Sequence, residues 1–203
     1  MGTNTPALDY GQCENYLKTH LFNELRWLLS AATERSIQDQ LKLETPGYEV
    51  QVYAMDSAFL HARALFEFFV QRTTNNHHGC NEFLGLGAVL TYSNYDNWRR
   101  PLHSFLMHAQ DRSNPVPLMS RSGVTEDLNQ MPVDFAHEIL ELWKEFERML
   151  AKSSVPQVQE LMKLARAKRQ EAVKGAESVI DSCVAQQHAK QKGQLLKPVF
   201  VFD

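Results

Sequence analysis

A chain of 203 residues with 43% apolar and 22% charged side chains is long enough to bury a core and too apolar to be wholly disordered. Its 21 basic and 24 acidic residues, net −3, exert no global pull on nucleic acid or membrane. No run approaches the ~20 apolar residues that span a bilayer. Residues 1–8 carry neither a basic nor an apolar signal region, and Cys13, Cys80 and Cys183 stand far apart in no metal-like spacing, so free thiols in a cytoplasmic protein are expected.

Residues 1–11 are polar and turn-rich and are expected to form a loose tail. The first helical pattern runs from about Gln12 to Leu43, with Leu17, Leu21, Leu25, Leu28, Leu29 and Ala32 recurring every three or four residues. Glu44-Thr45-Pro46-Gly47 stops it. The second helix, about Tyr48 to Arg72, is the most apolar part of the chain. Val52, Met55, Phe59, Ala62, Phe66 and Phe69 form one stripe, and Ala58, Leu65 and Phe68 widen it, which predicts a buried, central helix.

Residues 73–79 form a loop, and Phe83 to Tyr92, interrupted by Gly85 and Gly87, is compatible with a short helix or an irregular packed segment. Asn94 to Asn97 caps a third helix from about Trp98 to Ser113, with Pro101 in its first turn. A loop over 114–131 leads to a fourth helix from Pro132 to about Ala151, whose apolar face carries Phe135, Ile139, Leu142, Trp143, Phe146 and Leu150. Ser153 to Pro156 caps a long fifth helix over 154–192, and Leu195 to Asp203 is an apolar, β-prone extended tail. The expected architecture is all-α: one antiparallel bundle domain of about five helices over 1–203, with a buried second helix and a long C-terminal helix.

Several polar sets interrupt these patterns. Asp56, Arg63 and Glu67 lie at i, i+7 and i+11, within about 40° on the second helix. A charge buried there alone costs several kcal/mol, so an ion-pair network is expected. The functional alternative is a pocket in which Arg63 clamps an anion and Asp56 or Glu67 acts as base. His61 follows Ser57 by one turn without an oxyanion-hole motif, and is expected to be a core histidine bonded to a backbone carbonyl. Trp98 and Arg99 open the third helix beside Arg100; capping and packing are expected, with Trp98 as a core wedge and the arginines paired to acidic helix ends, and the alternative is an anion site. Eight histidines are present, but His103 and His108 are five apart and no Glu-x-x-His occurs, so neither metal nor cofactor is expected.

Charge is uneven. Residues 1–150 hold 12 basic and 19 acidic side chains, net −7, whereas residues 151–203 hold 9 and 5, net +4. Lys163, Arg166, Lys168, Arg169 and Lys174 concentrate the excess on the fifth helix, as a solvated face or as a surface for nucleic acid or an acidic partner.

The segment Met55 to Phe69, with its Leu60-His61-Ala62-Arg63 and later Phe68-Phe69, resembles a helix of uncharacterised bacterial all-helical proteins. Asp96 to Pro101, Arg112 to Arg121 and Phe135 to Phe146 extend that resemblance over roughly residues 15–150. More distantly the chain is similar to the HEPN superfamily of helical bundles, which implies a dimeric, metal-independent ribonuclease of a toxin–antitoxin or phage-defence system. The Arg-x4-6-His signature of that superfamily is met only in spacing, by Arg72 with His77 or His78; Arg100 and His103 are closer than the pattern asks.

Two functions are therefore expected. The first is a non-catalytic helical interaction protein that forms a homodimer or docks a protein partner through its C-terminal helix and tail. The alternative is a HEPN-like ribonuclease or RNA-binding component, using Arg72, His77, His78, Arg100 and His103 as catalytic residues.

Overall fold

The computed structural model describes residues 8–40, 48–73, 78–83, 88–93, 102 and 130–191, and within them only the backbone of 38–40, 48–52, 184 and 186–191. The helices are α1 (Tyr10–Tyr16), a π-helical turn (Leu17–Leu21), α2 (Phe22–Gln40), α3 (Tyr48–Val70), α4 (Met131–Ala151) and α5 (Pro156–Gln191), with a 3₁₀ turn at Cys80–Glu82. The protein is all-α in class. The expected third helix over 98–113 and the extended tail over 195–203 lie outside the described residues, apart from the buried Leu102.

The N-terminal helix starts earlier than its apolar periodicity suggests. Asp9 and Gln12 form a capping box: the Asp9 carboxylate accepts from Gln12 N–H at 2.8 Å, and the Gln12 side chain accepts from Asp9 N–H at 3.0 Å. Leu8 is not loose either; its N–H donates to Glu82 O at 3.1 Å. The π turn follows from residue spacing. Cys13, Leu17, Leu21 and Leu25 are all buried, and three successive steps of four accumulate about 120° of drift on a regular α-helix. One wide turn, closed by Phe22 N–H on Leu17 O, absorbs an extra residue and returns the stripe to the core.

Contacts define the directions of the helices. Glu24 meets His61 and Tyr16 meets Phe68, so α3 runs against α1 and α2. Phe59 meets Phe135 and Phe69 meets Trp143, so α3 and α4 run the same way, and the long connection 71–130 lies between them in sequence. The turn over 152–155 sends α5 back along α4. The core is aromatic: Phe59, Phe66, Phe68, Phe69, Phe83, Phe135, Trp143 and Phe146 are all fully buried, many edge to face. The buried Trp143 indole N–H donates to Ala165 O at 3.0 Å and pins α4 to α5.

The second helix, α3, supplies much of this core but is not wrapped on every side. Tyr53 and Leu60 on its outer face are 68% and 52% exposed. The segment expected as a short helix or irregular packing near Phe83 is non-helical where it is described, at 88–93. It is held by Leu90 N–H on Phe69 O at 2.8 Å and by stacking of Tyr92 on Phe66.

Candidate functional site

The π turn aligns Tyr16, His20 and Glu24 along one side of the N-terminal helix. Tyr16 and His20 stack at 5.0 Å between ring centroids. From α3, His61 reaches this side: its Nδ1–H donates to Glu24 Oε2 at 2.7 Å, and its ring lies against Trp27 at 5.0 Å. His61 is therefore bonded to a carboxylate, where a backbone carbonyl was expected. No distance limit in the sequence could reveal that partner, because Glu24 lies 37 residues away.

A second histidine–carboxylate pair approaches from the turn after α3. His78 Nδ1–H donates to Glu82 Oε2 at 2.7 Å, and the His78 ring meets the Tyr16 ring edge-on at 5.4 Å. The turn is built by Thr73, Gly79 and Asn81. Gly79 N–H donates to Thr73 Oγ1, and Asn81 Oδ1 accepts from Thr73 N–H. A Cβ on residue 79 would sit 2.6 Å from Gln71 O, so only glycine fits. Glu82 is 3% exposed, and its Oε1 has no hydrogen-bond partner. Each carboxylate lies against the Nδ1 edge of its imidazole and fixes the orientation of the ring.

Tyr16 links the two pairs. Burial, together with the charges of Glu24 and Glu82, pushes its phenol up to about 12 from an ordinary 10.0. A proton held more tightly in the folded chain stabilises it below pH ~10, and that contribution is lost as pH rises from about 10 to about 12. With the partial exposure of the ring discounted, it amounts to about 2 kcal/mol. The urea midpoint of the wild type is expected to fall over that interval and that of Tyr16→Phe to fall less, with phenolate absorbance reporting the late titration.

The other expected site residues do not join this cluster. Arg63 Nε donates to Glu67 Oε1 at 2.9 Å, as a pair at i, i+4 whose side chains are only partly buried. Asp56 is half-buried on the same helix. The stripe therefore borders the surface and is not cut into the core, because α3 leaves its outer face uncovered. Arg72 is exposed. His77, Trp98, Arg99, Arg100 and His103 lie outside the described residues. Among the described residues no group of three or more His, Cys, Asp or Glu is placed to hold a metal ion. Cys80 is a structural thiol: burial pushes it up to about 11, and its Sγ lies 3.3 Å from Phe69 O.

Most of the basic excess on α5 is used internally. Arg169 makes two bonds to the buried Glu147, at 2.7 and 3.2 Å, and Arg166 reaches the same carboxylate at 3.5 Å. Lys163 pairs with Glu160, and Lys168 pairs with Glu171 while lying 4.3 Å over the Phe22 ring.

Towards the other end of α2 a groove of about 380 Å³ opens between α2, α4 and α5. Leu29, Ala32, Ile37, Val133, Leu140, Val173 and Ile180 give it an apolar lining, with Thr33, Ser36, His137 and Glu177 as its polar members. Individually these residues read as ordinary helix-face positions; only the convergence of three helices makes them one surface. No described helix is long and apolar enough to cross a membrane. Comparison of the chain with protein-family models, with curated proteins and with solved structures finds no match.

Proposed function

We propose that this chain is a non-catalytic helical interaction protein that self-associates, the apolar C-terminal segment Leu195–Phe202 of one copy entering the groove between α2, α4 and α5 of a second copy. The observation that carries this reading is the groove itself, an open apolar surface at the end of the bundle where α5 leaves it. Ile180 is the last groove residue on α5, and the helix continues to Gln191, about 16 Å further. Residues 192–203 follow, a length that spans up to about 40 Å when extended. That reach is enough to meet the groove of a neighbouring copy, and we place it there; docking into its own groove is the outcome a monomeric full chain would report. Each copy offers this groove and this segment, so reciprocal docking closes a twofold dimer. Pro198 and the alternating Val199-Phe200-Val201-Phe202 favour an extended peptide that offers rings to an apolar groove.

The test is light scattering coupled to size exclusion. The full chain is expected to be a dimer, and deletion of 195–203 or the substitution Ile180→Glu is expected to leave a folded monomer. Ile180 is 43% exposed, so its replacement spares the core. A monomeric full chain, or a dimer that survives both changes, overturns the proposal.

The ribonuclease reading has one supporting feature. His78 is half-exposed on an imidazole oriented by a buried carboxylate, as a general acid or base requires. The charges nearby weigh against it: Glu82 and Glu24 flank this region and disfavour a phosphodiester, while Arg72 extends into solvent. Chelator-resistant cleavage of labelled RNA that disappears in His78→Ala would favour this reading over the first.

A further inference from the structure

The groove between α2, α4 and α5 has a shape that apolar character alone does not require. Each of the three helices contributes an alanine to it, Ala32, Ala136 and Ala176, all buried. Each alanine lies between larger apolar residues of its own helix. On α2 these are Leu29 and Ile37, on α4 Val133 and Leu140, and on α5 Val173 and Ile180. Three small side chains at mid-length, flanked at both ends by branched ones, form the floor of a pit. The lining of such a pit lacks van der Waals partners until a large side chain fills it. His137 and Glu177, each next in sequence to one of the alanines, are exposed and stand at its rim. Glu177 is the one carboxylate among the described lining residues.

Resting on the docking proposed above, we infer that Phe200 is the anchor that fills this pit, and that Lys197 pairs with Glu177 and sets the direction of the bound segment. The groove is about 12 Å long, the rise of α2 from Leu29 to Ile37. An extended chain covers that length with residues 198–202, which span about 13 Å. Side chains alternate along such a segment. Pro198, Phe200 and Phe202 share one side, and Lys197, Val199, Val201 and Asp203 share the other. With the first set facing inward, Phe200 is central and falls over the three alanines, while Pro198 and Phe202 meet the branched residues at the ends. A ring seated in a desolvated pit is the kind of contact that dominates the energy of an interface. Lys197 lies just beyond one end of the groove with its side chain outward, and its flexible four-carbon stem reaches back to Glu177 on the rim. Seating Phe202 in the pit instead brings Asp203 beside Glu177, like charge against like.

The test is the dimer dissociation constant of full-chain variants, read from a dilution series by light scattering. A twofold dimer contains two pits, so each substitution counts twice. Phe200→Ala is expected to raise Kd at least about thirtyfold, and Phe202→Ala and Leu196→Ala less than about fivefold each. Lys197→Glu and Glu177→Lys are each expected to raise it about tenfold, and the two together to return it to within about threefold of the wild type. Leu196, Lys197, Phe200 and Phe202 lie beyond the helical core, and Glu177 is exposed, so none of these changes threatens folding. Phe202→Ala or Leu196→Ala as damaging as Phe200→Ala, or a charge exchange that gives no rescue, overturns this inference and leaves the docking itself standing where the dimer still depends on residues 195–203. A monomeric full chain overturns the docking, and this inference with it.

Discussion

Phe69→Ala is expected to cost about 4 kcal/mol. Phe69 is fully buried, and its ring meets those of Phe68 at 5.0 Å and of Trp143 and Phe146 at 5.8 Å. Removing it takes away the transfer free energy of a phenyl group and leaves a cavity walled by large rings, which repack poorly. A domain with a typical stability of about 5–15 kcal/mol would lose a large fraction of it. The backbone of residue 69 also organises the segment beyond α3, since its carbonyl accepts from Leu90 N–H. That bond survives the substitution, so the loss reports packing. Equilibrium urea denaturation checks it, with Phe69→Leu as the milder comparison; a loss below about 1.5 kcal/mol would contradict the packing described.

Arg169→Ala is expected to cost about 3 kcal/mol. Glu147 is 5% exposed and held mainly by Arg169, so deleting the guanidinium strands a carboxylate between α4 and α5. Arg166 at 3.5 Å limits the damage without matching the paired geometry. Replacing both partners, Glu147→Leu with Arg169→Leu, is expected to recover most of the loss, because the penalty comes from the unpaired charge. Arg63→Ala serves as the comparison in the same denaturation series. Its pair with Glu67 is partly exposed, and a loss below about 1 kcal/mol is expected.

The contrast between these two arginines shows what residue spacing alone conveys. Arg63 lies on the most apolar helix and therefore reads as buried; Arg169 lies on a polar helix and reads as solvated. In the folded chain both arginines are partly exposed, and it is Arg169 whose carboxylate partner, Glu147, is buried. Which face of α3 is covered depends on neighbours, and the acidic partner of Arg169 comes from α4, 22 residues earlier. His61 and His78 were both legible as candidates, but the carboxylates that orient them were not. Tyr16, His20, Glu24 and Glu82 carried no motif. The steps of four through Cys13, Leu17, Leu21 and Leu25 were nevertheless a visible sign that a regular α-helix would not keep its stripe on the core.

Local periodicity and capping chemistry therefore determined the helical class and the extents of α3 and α4, because a side-chain stripe needs no information beyond its own helix. Direction of packing, the groove between three helices and the cluster around Tyr16 were decided only by tertiary structure. Each requires groups far apart in the chain to meet, and whether a charge is buried, paired or left with an unsatisfied oxygen depends on that meeting.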